Sequence, residues 1–131
     1  MLAAGPLAAL GVDLTLLREA LPNVDPGRVP VRVAPGWFRR LWLGDVAAMT
    51  MPWAIYLRAS PLGQDPSRLA ALLVHELAHV EQWRRLGMRR FLARYLVDYF
   101  RNRRAGMDHD RAYRAISLEL EAERLRRWVI G

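Results

Sequence analysis

Between Asp65 and Gly87 the chain spells a single helix, with an aspartate as N-cap, a proline at the first helical position and a glycine just past Leu86 to end it. A rod of that length sets what everything else must pack against. Leu72, Leu73 and Val74 can bury it, and Leu77 and Ala78 continue the apolar or small run. Inside it stands the stretch HELAH, residues 75–79, which holds two of the chain's three histidines. Residues four apart lie one turn above each other on the same helix face, so His75 and His79 offer two imidazoles to one point.

Composition limits what else can meet them there. The 131 residues include no cysteine, so disulfides and thiolate ligands are excluded and a metal would have to be held by His, Asp or Glu. A hydrophobic fraction of 53% with 25% charged residues describes a globular chain, and the length describes one domain, residues 1–131. All twenty basic residues are arginine and the net charge is +7. GC-rich codon usage accounts for that bias as well as an anionic partner does. The opening MLAAGPLAALGVDL lacks a basic start and meets Asp13 early, so it does not read as a signal peptide. No run of eighteen apolar residues is present to span a membrane. A cytoplasmic location is the resulting expectation.

Around the long helix the pattern predicts an α+β fold, a small mixed or antiparallel sheet packed on helices. Leu14, Leu17 and Leu21 are spaced helically and stop before Pro22. VPVRVA and WFRRLWL read as strands, and VAAMTM and WAIYLRAS as a further pair joined near Pro52. In the last of these, Ala54, Tyr56 and Arg58 alternate with Ile55 and Leu57. After Gly87 a second helix carries Phe91, Leu92, Tyr95, Leu96 and Tyr99 on one side. Asp110 is expected to cap a last helix from about Arg111 to Val129.

Zinc held by neutral nitrogens and one carboxylate keeps an open position where water is acidified, and Glu76, one residue after His75, can take its proton. Such a site needs a third ligand. The metzincin continuation would require glycine and histidine where Gln82 and Arg85 stand, so that class is excluded. The last helix offers Glu119, Glu121 and Glu123. At 100° per residue, Glu119 and Glu123 share a side with Ala112 and Ile116, while Glu121 points nearly opposite. A carboxylate on an apolar side needs a partner, and a metal supplies one. Spacing leaves Glu119 and Glu123 tied, and pairing with Arg126 or Arg127 is the alternative use of both.

HELAHVEQW followed by ISLELEAE resembles the gluzincin zinc metallopeptidases, in which a glutamate in an E-x-x-A-D pattern on a later helix completes the site. The longer stretch from Ala47 to Trp83 is similar to the small metallopeptidase domain associated with bacterial extracellular contractile injection systems, and to the single-domain minigluzincins. The resemblance covers roughly positions 47 to 124 and leaves the first forty residues unassigned. It implies a zincin-like fold and a Zn2+ ion on His75, His79 and Glu119, with Glu76 as general base. Glu123 stands where the family has aspartate, and would orient a histidine. The resemblance further implies that Ala54, Ile55, Tyr56 and Leu57, continuing to Ser60, form an edge strand that aligns a peptide or protein substrate.

Tyr113 is a candidate donor to a developing oxyanion, ahead of the loop residue His109. The arginines of RRLGMRRFLARY read as a solvated face, with phosphate binding as the alternative. Peptide-bond hydrolysis is the expected activity. Its rival is a zinc-stabilised interaction module that cleaves nothing. An arginine-driven nucleic-acid or membrane binder, marked by steep salt dependence, ranks third. The smallest members of the resembled group are also known as proenzyme-like forms, and the apolar end Trp128 to Ile130 is expected to fold back over the cleft and make the chain latent.

Overall fold

A computed structural model describes residues 1–42 and 46–130. Along the chain run α1 (Ala4–Ala9), α2 (Leu14–Ala20), β1 (Val31–Val33), α3 (Gly36–Arg39), β2 (Ala48–Met51), β3 (Ala54–Leu57), α4 (Pro66–Arg104), α5 (His109–Arg114) and α6 (Ser117–Ile130). The fold is α+β and mostly helical, with one small mixed sheet of three strands in the order β1-β3-β2. β1 runs parallel to β3 and β2 antiparallel to it. No helix among the described residues is long and apolar enough to cross a membrane.

The main core lies between the sheet, α1, α2 and the first half of α4. Leu7, Leu17, Leu21, Ile55, Leu57, Leu73, Val74 and Leu77 are among its fully buried side chains. The apolar opening of the chain belongs to it: Ala3 N–H bonds Val29 C=O and Leu7 is buried. From α4, the buried Glu81 carboxylate accepts from Asn23 N–H at 3.0 Å and from Asn23 Nδ2 at 2.7 Å, tying the loop after α2 to the long helix.

Two local signals on α4 act as expected. Asp65 caps it, accepting from Arg68 N–H, and Pro66 opens it. Gly87 interrupts it at φ 79°, ψ 165°, a conformation open to glycine and strained for any other residue. The interruption turns residues 88–104 back toward the site. Phe91 stacks on Trp83 with ring centroids 3.9 Å apart, and these two form a second core with Ile116 and Leu118.

Four expectations need correction. WFRRLWL is not a strand; α3 occupies Gly36–Arg39, and Leu43 lies outside the described residues. Phe38 N–H and Arg39 N–H both bond Pro35 C=O, and Phe38 meets Trp42 edge-on at 5.6 Å. The aromatic spacing there is four rather than two, and strand propensity yields to it. Second, Asp108, not Asp110, caps the helix after the loop, accepting from Arg111 N–H. Third, the expected last helix is two. The Asp98 carboxylate accepts from both Ser117 N–H (2.9 Å) and Ser117 Oγ (2.5 Å), and so starts α6 afresh at Ser117. Fourth, Ala54, Ile55, Tyr56 and Leu57 are not an edge strand. They form β3, paired on both sides, because alternation reports which faces are buried and not where a strand stands in the sheet.

Candidate metal centre

The site forms where α4 crosses α6. His75 and His79 project from one face of α4, and their rings lie 5.0 Å apart. Glu119, buried on the first turn of α6, meets both: its Oε1 lies 3.0 Å from His75 Nε2 and its Oε2 lies 2.7 Å from His79 Nε2. Ligand atoms of His75, His79 and Glu119 all fall within 4.8 Å of one another, close enough to share one ion.

The remaining ring nitrogens are also engaged. His75 Nδ1 faces Glu123 Oε2 at 3.3 Å, and His79 Nδ1 faces Gln82 Oε1 at 2.7 Å. The Gln82 amide is oriented by donating its Nε2 to Leu118 C=O and to Glu121 Oε1, which leaves Oε1 for the histidine. All four ring nitrogens therefore point at acceptor oxygens. A neutral imidazole carries one N–H, so two neutral rings can satisfy only two of those contacts. The other two require added positive charge, either two protons or one divalent cation at the Nε2 atoms. With Nδ1–H of each ring given to Glu123 or Gln82, the free Nε2 lone pairs and the Glu119 carboxylate make up a donor set that fits a metal ion.

The electrostatics follow the same logic. Burial opposes charging His79, but the bond to Glu119 and that residue's charge outweigh it and push the group up to about 9. Burial likewise opposes charging Glu119, and the bonds from His75 and His79 outweigh it, holding the carboxyl well below the usual range. Glu123 is held low first by Arg126, whose guanidinium lies within hydrogen-bonding distance, and also by His75. It thus serves both uses foreseen for it, an arginine pair and a histidine contact. Glu121, expected to point away, pairs with Arg85 at 2.9 Å.

Glu76 is buried beside the histidines, and its Oε2 accepts from Thr50 Oγ1 of β2 at 2.6 Å. Trp83 Nε1 donates to Thr50 C=O at 3.1 Å, so strand and helix are stitched twice. Tyr95, returned by the turn at Gly87, donates its hydroxyl to Glu119 Oε2 at 3.2 Å. Burial raises the phenols of Tyr95 and Tyr113, and the nearby Glu119 charge adds to it, so both stay protonated donors. His109 stands at the cleft with Nδ1 2.8 Å from Tyr99 Oη.

A cleft of about 890 Å³ opens over the centre, lined by His75, Glu76, Tyr113, Glu119 and, where the chain enters β2, by Val46, Ala47 and Ala48. Arg58 N–H bonds Ala47 C=O, which makes Ala47 a hydrogen-bonded partner of β3 and turns the Ala48 N–H and C=O to the other edge. The strand edge at the cleft is therefore β2. The apolar end of the chain does not cover it. Trp128 to Ile130 continue α6 as helix, and Val129 packs with Leu125 on the main core.

Thr50, Gln82 and Tyr95 are the site residues that sequence reasoning missed. Their partners lie 26, 3 and 24 residues away, and only Gln82, one turn beyond His79, carried a local signal. No protein-family model, no curated protein and no solved structure matches the chain, so the likeness to gluzincins rests on the residues of this chain alone.

Proposed function

We propose that this chain is a zinc-dependent peptidase with a zincin-like plan, in which His75, His79 and Glu119 hold the ion. The observation that carries the reading is the set of four ring nitrogens turned on acceptor oxygens around a buried carboxylate, at the floor of an open cleft. A zinc ion bound there supplies Lewis acidity, which acidifies a water and polarises a carbonyl.

The chain's own groups do the rest. Glu123 and Gln82 fix the two imidazoles through Nδ1. Tyr95 helps hold Glu119 in place, and the bonds from His75 and His79 outweigh the burial that opposes its charge, so it stays a carboxylate. Thr50 occupies Glu76 Oε2, which leaves Oε1 to take a proton from the attacking water and pass it to the leaving amine. Tyr113, a protonated phenol on the cleft wall, donates to the oxygen that gains charge. The open edge of β2, at Ala48, offers a backbone N–H and C=O to an extended peptide.

Two measurements test this. Purified wild type should retain about one zinc per chain after dialysis, and His79→Ala should retain far less. Wild type should cleave casein or a generic peptide mixture, and Glu76→Gln should keep its zinc and lose cleavage. Zinc retained by an intact wild type that cleaves nothing identifies a zinc-stabilised interaction module instead.

A further inference from the structure

Residues 88–104 were expected to turn Phe91, Leu92, Tyr95, Leu96 and Tyr99 to one side, and they divide. Phe91, Tyr95, Asp98, Tyr99 and Asn102 face inward, to Trp83, Glu119, Ser117, His109 and Ala112 respectively. Met88, Leu92, Leu96 and Phe100, four apart and so one line along the helix, face outward with Val97, and all five are between 43% and 64% exposed. From 88 to 100 that line is about 18 Å long at 1.5 Å per residue. Its two ends carry Arg89 and Arg90, and Arg101, Arg103 and Arg104. None of these five arginines forms an ion pair among the described residues. The single acid of the segment, Asp98, is turned inward on Ser117.

We propose that this outer face is a docking surface for an anionic lipid bilayer, on which the helix lies flat. Charge decides the occupant. A symmetric second copy, parallel or antiparallel, would set arginine clusters against arginine clusters at both ends of the contact. A nucleic-acid backbone would match the arginines and leave the apolar midline wet. A bilayer surface satisfies both parts. Leucine and phenylalanine enter the boundary between headgroups and acyl chains, while the long arginine stems keep their guanidiniums at the phosphates. The net charge of +7 draws the whole chain to such a surface at long range. The surface is independent of the metal centre and of any peptidase activity.

The test is co-sedimentation of the purified chain with vesicles of phosphatidylcholine alone, or with about 30% phosphatidylglycerol. The chain should pellet with the anionic vesicles only, and about 0.5 M salt should release most of it. The double variant Leu96→Glu, Phe100→Glu should bind about tenfold less or weaker still, with circular dichroism and zinc content unchanged. Arg103→Glu with Arg104→Glu should weaken binding in the same way. Failure to bind anionic vesicles overturns the proposal, and so does binding that survives the apolar double variant. A dimer in solution that the double variant abolishes, or tighter binding to DNA or RNA than to vesicles, assigns the face to another occupant and also overturns it.

Discussion

Replacing Thr50 by valine keeps a β-branched side chain in the strand and removes only the hydroxyl that donates to Glu76 at 2.6 Å. The buried carboxylate then lacks a donor, which costs about 1–3 kcal/mol by denaturant unfolding. If Glu76 moves the proton, the variant should also lose kcat with little change in KM, and keep its zinc. Gln82→Met acts on the other side of the centre by removing the acceptor of His79 Nδ1. Zinc affinity, read by competition with a chromophoric chelator, should fall by about 10–100-fold. These residues also mark how far the sequence could be read. His75, His79 and Glu119 were legible because helical spacing and side-chain type are local properties, and the three do come together. The choice of Glu119 over Glu123 needed the family resemblance, since wheel angle left them equal. Thr50 and Tyr95 were illegible because nothing local says which strand lies against α4 or which way residues 88–104 turn.

Among the elements, the turn inside α4 is the most sensitive. At φ 79°, ψ 165° an alanine for Gly87 meets open space at its Cβ but a strained backbone. The cost should be about 1–3 kcal/mol in urea unfolding, with Tyr95 partly withdrawn from Glu119. A glycine after Leu86 is readable as a helix stop; that the next helix doubles back over the first is set by the stacking of Phe91 on Trp83, which no local pattern encodes. The start of α6 depends on Asp98. Burial disfavours its charge, and the two bonds from Ser117 outweigh that, so its folded value lies below the ordinary 3.8. A depressed carboxyl stabilises the fold above its unfolded pKa and loses that contribution as pH falls through the folded one. Asp98→Asn should therefore cost about 1 kcal/mol at neutral pH, as for a lost helix cap. The gap between wild type and variant should hold above about pH 5 and close in more acid solution. Likewise, the β2–β3 hairpin was legible from its alternation and Pro52, while the strand order was not, because parallel pairing with β1 joins segments more than twenty residues apart.

Across the whole molecule, the groups at the candidate metal centre come from β2, from both halves of α4 and from α6, so no part of the chain can assemble them alone. A cation held by His75, His79 and Glu119 would then have affinity for the folded chain and little for the unfolded one. Such a ligand adds RT ln(1 + [L]/Kd) to the free energy of unfolding, about 2.7 kcal/mol when the free ion is at a hundred times its Kd. The melting temperature should climb with free zinc and drop when a chelator is added, and the His79→Ala variant should show neither response. The same titration can be run on Glu76→Gln, where no substrate is turned over. Thermal unfolding thus becomes a binding isotherm, and the strength of the centre can be measured on a chain that does no chemistry at all.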